Sequence, residues 1–158
     1  MNKIISLNNL IKILNTKYQI LNTVLVTGCF DVLHPAHTDF LKTAKDKGDL
    51  LIIGLESDNR LRELKGKIRP INNQQVRAKN LAMLNPIDFI FPLPEKFTTE
   101  KDHLHLLQLI KPQILAISEH DKNLNQKKKL IEKVGGKLFV FPFDNKYSTT
   151  KIITNRII

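Results

Sequence analysis

Within ten residues, "GCFDVLHPAH" (Gly28 to His37), the chain places a glycine, an aspartate and two histidines directly after an apolar run, Val24-Leu25-Val26. A simple turn needs none of these side chains. In open α/β folds, ligands bind beyond the carboxyl ends of parallel strands, where the next helix offers free N–H groups. A glycine at such a strand end permits close approach of a ligand to the backbone. The three-residue step from His34 to His37 puts both imidazoles near the start of the following helix. There they can donate hydrogen bonds to phosphate oxygens and stabilise charge that builds during phosphoryl transfer. Two other uses of the same residues stand beside that one. A metal site would take two ligands from His34 and His37, yet no cysteine lies near enough in sequence to suggest a third. Both histidines can also simply cap and pack.

Phosphate chemistry of this kind requires a sheet whose strands end together. Continuous apolar runs at 23–27, 50–55, 88–91, 114–117 and 138–141 predict strands covered on both faces. Helical patterns lie between them. Residues 37–47 carry Phe40, Leu41 and Ala44 on one side; residues 74–84 carry Ala78, Leu81 and Ala82 and stop at Asn85-Pro86. A helix over 99–110 opens on the capping-box pattern Thr99-x-x-Asp102, and one over 123–134 stops at Gly135-Gly136. The segment 148–158 repeats Ile153 and Ile157 on a last helix, and residues 1–20 read as an amphipathic helix covering the outside of the sheet. The segment 56–73 shows no period and, at that length, is expected to be functional. The alternation predicts one α/β domain: a Rossmann-like, doubly wound, parallel five-stranded sheet with helices on both faces. Residues 1–20 would form a helical extension packed on a domain of residues 21–158.

The chain's 158 residues suffice for one substantial core, and 42% apolar with 25% charged residues is an ordinary globular balance. No apolar run approaches the ~20 residues of a membrane span. The opening lacks a small-residue cleavage site, so a signal peptide is not expected. A single cysteine forms no internal disulfide, which suits a cytoplasmic location. The net charge of +10 fits an anionic partner, whether nucleotide, phosphorylated metabolite or nucleic acid. Nucleic acid is the weaker reading, because 6% aromatic residues and no Trp offer few stacking platforms.

"GCFDVLHPAH" resembles the G-[TC]-F-D-x-x-H-x-G-H signature of the cytidylyltransferase-like nucleotidyltransferases. Three further pieces follow in the family's order. "SDNRLRELKGKIRPIN" is similar to its SD…KG…RP-(I/V)-N loop, Arg77 falls at the Arg of its E-x-R pair, and "YSTTKII" resembles its STT-K-I terminus. The lead-in "NKIISLNNLIKIL" resembles the heptose 1-phosphate adenylyltransferase branch. The resemblance implies that backbone at Gly28, Cys29 and Phe30 faces a nucleotide, and that His34 and His37 hold the triphosphate. Lys65 on a mobile loop would join them in catalysis, with Lys67 and Arg77 neutralising phosphate charge. Ser148 and Thr149 would bind the β- or γ-phosphate at a helix start, where a plain N-cap is the other use of Ser148. Asp31, Asp58 and Arg69 would contact the phosphorylated acceptor or brace the loop. From residue types alone, Lys65 and Lys67 read equally as a solvated loop.

The implied reaction transfers a nucleoside monophosphate from an NTP, ATP favoured, to a phosphorylated metabolite of the heptose 1-phosphate type, releasing pyrophosphate. Mg²⁺ would accompany the NTP, the protein itself would supply no metal site, and relatives of this kind pair as homodimers. Cytidylyl transfer to glycerol or ethanolamine phosphate and adenylyl transfer to FMN are the enzymatic alternatives; a nucleotide-binding regulatory module and a nucleic-acid-binding domain are the others. Three positions depart from the family's pattern. Ala36 replaces the Gly of His-x-Gly-His, Gln75 replaces the Glu of E-x-R, and "AISEHDKN" (116–123) stands where the heptose branch has Lys-Gly-Gly-Asp-Tyr. The first bears on rate, the last on the choice of base and acceptor.

Overall fold

Five runs of branched and aromatic apolar residues form strands in the computed structural model, which describes residues 2–142. They are β1 (Thr23–Gly28), β2 (Leu50–Leu55), β3 (Phe89–Pro92), β4 (Ile114–Ser118) and β5 (Lys137–Phe141). All pair in parallel, in the order β3-β2-β1-β4-β5. The chain winds outward from β1 through β2 to β3, then returns to place β4 on the other side of β1. That reversal makes the carboxyl ends of β1 and β4 the topological switch point, where a crevice opens in doubly wound sheets.

The helices are α1 (Leu7–Thr16), α2 (Pro35–Lys45), α3 (Asp58–Lys65), α4 (Gln74–Ala82), α5 (Glu100–Ile110) and α6 (Leu124–Lys133). Strand side chains alternate between two cores. Leu25 and Ile52 pack with Leu10 and Leu14 of α1, Leu106 and Leu107 of α5 and Leu130 of α6. Val24, Val26, Leu51 and Ile53 pack with Phe40 and Leu41 of α2 and with Ala78 and Leu81 of α4. The expected doubly wound, five-stranded parallel sheet with helices on both faces is thus present. No helix among the described residues is long and apolar enough to cross a membrane.

Two local expectations change. The segment 56–73 contains a helix, α3, capped by the Ser57 hydroxyl, which accepts from the Arg60 N–H. Its sequence DNRLRELK buries only Leu61, so it carries no apolar period to read. At the N-terminus, residues 3–5 are extended rather than helical. Ile4 bridges Ile90 in parallel, the Ile5 N–H donates to the Ile90 carbonyl, and the Ile90 N–H donates to that of Lys3. The chain's opening therefore covers the edge of β3, which protects exposed strand groups from other pairing. The helix read over 148–158 lies outside the described residues.

Candidate functional site

The site is built where β1 runs out. Phe30 takes a left-handed backbone conformation, φ 47°, which is costly for an aromatic residue and turns the chain sharply over the sheet end. Its ring fills the space beside Gly28, where a Cβ would lie 2.7 Å from the ring edge, so residue 28 must be small. The Phe30 ring also meets His37 edge-on, with centroids 5.3 Å apart. His34 is the N-cap of α2 in extended backbone, and Pro35 fills the first turn, where its missing N–H costs nothing. The sequence placed the helix start at 37, two residues late. In this geometry the three-residue spacing stacks the imidazoles of His34 and His37, centroids 3.7 Å apart and planes 24° from parallel. His34 is buried and His37 half-buried. Among the described residues, His37 Nδ1 has no hydrogen-bond partner. His34 also lines an open groove with Leu33, Pro35, Thr38 and Asp39, although its ring nitrogens are buried. Ala36 is helical and 6% exposed, and its methyl packs inward.

Burial, and the neighbouring His34, push His37 down to about 3; burial also holds His34 below the usual imidazole range. Both rings are therefore neutral at pH 7, able to donate one N–H each. Across the sheet, His103 of α5 is depressed to about 4, by burial first and then by the positive Lys127 and Arg60. An acid-stability prediction follows. An unfolded histidine titrates near 6.5, so below that pH the unfolded chain takes up protons that folded His37 and His103 refuse. Stability from these groups is complete above pH 6.5 and is lost as the pH falls toward about 4 for His103 and about 3 for His37. Each contributes a slope of up to about 1.4 kcal/mol per pH unit in its window. Thermal melts should show Tm falling steadily from pH 6.5 to 4.5, with His103→Leu shallower. A wild-type Tm constant over that range would contradict the assignment.

A buried polar network locks the segment 66–73 onto the strand end. The Asp31 carboxylate accepts from Arg69 Nε at 2.6 Å and from the Ile71 and Asn72 N–H groups at 2.8 Å each. Burial alone would raise the Asp31 carboxyl; these hydrogen bonds and the guanidinium outweigh it and hold the group below the usual carboxylate range. Asn72 returns a side-chain bond to the Asp31 carbonyl at 2.8 Å. Arg77 of α4 is fully buried and donates to the Asn72 carbonyl, the Cys29 carbonyl and Asp58 Oδ1 at 3.0, 2.8 and 2.7 Å. Burial and the nearby Glu56 raise the Cys29 thiol, which keeps it protonated.

The fold therefore gathers Gly28, Cys29, Phe30, Asp31, His34, His37, Asp58, Arg69 and Arg77 at one sheet end. Within that group Asp31, Asp58, Arg69 and Arg77 face each other, so their charges brace the scaffold. Lys65, in the last turn of α3, and Lys67, after Gly66, are exposed on the adjoining segment. Lys65 is close enough for its charge to act on Cys29. Ser148 and Thr149 lie outside the described residues. In the segment 116–123, Asp121 pairs with Lys127 at 2.6 Å and accepts from the Asn123 N–H at 2.8 Å, which fixes the turn into α6. The sequence reading missed Gln74, whose side-chain amide donates to the Leu55 carbonyl at 2.9 Å, and Glu56. The signal for Glu56 was present: a carboxylate placed directly on the end of the apolar run LLIIGL.

Comparison with known proteins agrees with this geometry. The family model described as Cytidylyltransferase-like matches residues 25–155. A bifunctional protein HldE from Pelobacter propionicus is 38% identical over 131 residues, covering 82% of this chain and 26% of its own length. The Helicobacter pylori protein of the same name is 34% identical over 151 residues, covering 96% of this chain and 30% of its own. The chain thus spans between a quarter and a third of these curated relatives. A lipopolysaccharide core biosynthesis protein from Thermoplasma volcanium is 27% identical with a TM-score of 0.65, covering 81% of this chain and 99% of its own. A pantoate-β-alanine ligase from Francisella tularensis has a TM-score of 0.72 at 20% identity, covering 99% of this chain and 78% of its own, a likeness of fold. With a match over residues 25–155 and the histidine pair at the switch point, the chain belongs to the cytidylyltransferase-like family of nucleotidyltransferases.

Proposed function

We propose that the protein transfers AMP from ATP to a sugar 1-phosphate of the heptose type, in the cytoplasm, with release of pyrophosphate. The observation that carries the reading is the stacked, neutral His34–His37 pair at the start of α2, at the sheet's topological switch point. Two neutral imidazoles and the Ala36 N–H in the first turn of α2 form a donor set suited to a polyphosphate. The acceptor's phosphate oxygen attacks the α-phosphorus, and the bond to the bridging oxygen of pyrophosphate breaks. A phosphate monoester is already ionised near neutral pH, so no general base is required. The protein acts by alignment and by stabilising charge at the α-phosphate.

The remaining roles rest on the family resemblance, with the placement of the described residues in support. Lys65 and Lys67, exposed beside the strand end, neutralise the β- and γ-phosphates, and Ser148 and Thr149 join them. Gly28, Cys29 and Phe30 present backbone to the nucleotide. Asp31, Asp58, Arg69 and Arg77 hold the segment 66–73 in register with that backbone. Mg²⁺ enters as part of the substrate, the ATP–Mg²⁺ complex, while Asp31 and Asp58 are engaged by Arg69 and Arg77. The sugar choice is supported by the heptose-branch resemblance of the lead-in and the KGKIRPIN loop, and by the likeness to a lipopolysaccharide core biosynthesis protein.

A pyrophosphate-release screen crossing ATP and CTP with phosphorylated acceptors tests it. ATP with a heptose 1-phosphate should give the highest rate. Faster release from CTP with glycerol or ethanolamine phosphate would transfer the protein to that branch. Nucleotide binding with no release from any pair would make it a regulatory module.

A further inference from the structure

Glu56 has no role in the chemistry above, yet its setting is unusual. It follows β2 directly, and its N–H donates to the Gly28 carbonyl at 2.9 Å, which ties it to the end of β1. Strand alternation turns its side chain to the face of Ile52, the side of α5 and α6, opposite the histidine pair. Glu56 is only 8% exposed, and its Oε2 has no hydrogen-bond partner among the described residues. A buried carboxylate oxygen left without a donor is costly, and such groups in native folds call for a bound partner. The cations around it are themselves paired, Arg60 with Glu63, Lys127 with Asp121 and Arg77 with Asp58. Burial pushes its carboxyl up, while Arg60, Lys127 and Arg77 pull it back. His103, under the same Arg60 and Lys127 charges, stays neutral. His103, Lys127 and Thr27 form the polar wall of a small cavity beneath α5 and α6.

These groups select a ligand chemistry. The free oxygen needs a donor. The cations near it, Arg60 and Lys127, are already held by Glu63 and Asp121. A neutral hydroxyl answers the oxygen without bringing a further charge into a buried site. We propose that Glu56 is a specificity-determining residue, accepting hydrogen bonds from the hydroxyl groups of the acceptor's polyol body. This rests on the sugar-phosphate reading given under Proposed function.

The test compares wild type with Glu56→Leu and Glu56→Gln, using ATP and a heptose 1-phosphate. Leu fills the volume and removes the acceptor oxygen; Gln keeps one carbonyl oxygen. Loss of a hydrogen bond to a charged group corresponds to about tenfold or more in affinity. Glu56→Leu should therefore raise the acceptor KM at least about tenfold while the ATP KM stays within about twofold, with partial recovery in Glu56→Gln. An unchanged acceptor KM in Glu56→Leu, or ATP and acceptor KM rising together, overturns the assignment. Should both variants fail to fold, wild type decides. Deoxy analogues of the sugar phosphate must include at least one with a raised KM. If none does, the assignment is overturned. A wild type inactive with every sugar phosphate defeats the functional reading first, before any variant is made, and this inference with it.

Discussion

Replacing His37 with alanine is expected to lower turnover about 10²–10³-fold, the loss measured when one preorganised donor to a developing oxyanion is removed. The ring is held by its stack on His34 at 3.7 Å and by the Phe30 edge at 5.3 Å, so its orientation is set before substrate arrives. Its donor therefore needs no reorganisation as charge builds on the α-phosphate. The effect should fall on kcat, with ATP KM changed only a few-fold, because in the proposed site other donors would also contact the triphosphate in the ground state. The pH profile provides a second readout. With His37 pushed down to about 3, its charge does not change between pH 6 and 8 in the free enzyme. In that range kcat/KM should show no limb belonging to His37. An ordinary imidazole pKa would instead produce a change near pH 6.5 that vanishes in His37→Ala. Pyrophosphate release under saturating ATP measures both. Turnover within threefold of wild type in His37→Ala and in His34→Ala would remove the histidines from the mechanism.

The histidine pair was legible because its signal is local: the three-residue spacing sets an N-cap side chain against one in the first helical turn. The strands were legible for a similar reason, since a run such as Leu50-Leu51-Ile52-Ile53 fits a sheet covered on both faces. Where the pattern was weak, the reading was too. In α3 only Leu61 is buried and Leu64 is 49% exposed, so tertiary docking and the Ser57 cap, rather than an apolar stripe, hold that helix. The first residues carry isoleucines that suit a helix or a strand equally; pairing with Ile90, far along the chain, decides for strand. The site's charges show the deeper limit. Residue type and position single out Asp31, Asp58, Arg69 and Arg77, but not what each one faces. Arg69 meets Asp31 across 38 residues and Arg77 meets Asp58 across 19, and only the docked segment 66–73 brings them together. Glu56 stands out in the sequence as a carboxylate on the end of an apolar run, but the missing partner of its Oε2 is a property of the fold.

The docked segment is itself the subject of the second large effect. Replacing Asp31 with alanine should destabilise the protein by about 3–5 kcal/mol, the usual result of stripping one partner from a buried ion pair. For a chain of this size that is a fall in Tm of roughly 10 °C or more. The Asp31 side chain is fully buried and Arg69 is 5% exposed, so the stranded guanidinium gains little from water. The Ile71 and Asn72 N–H groups lose their acceptor as well. Arg69→Met should cost clearly less, because Asp31 would keep both backbone donors and methionine fills much of the guanidinium's volume. The asymmetry separates this network from a simple pairwise salt bridge, which would lose the same energy from either side. Its pH dependence is also distinct. The folded Asp31 pKa lies below the unfolded value, so its contribution is complete above about pH 4 and is lost only as the pH falls through the lower folded value. The Asp31→Ala penalty should therefore be constant from pH 8 to 5, across the range where the histidine contribution is already declining. Denaturant melts of both variants at pH 7.5 and pH 5 decide it. A penalty under 1 kcal/mol for Asp31→Ala, or a larger one for Arg69→Met, would mean that the segment 66–73 is held to the strand end by other contacts.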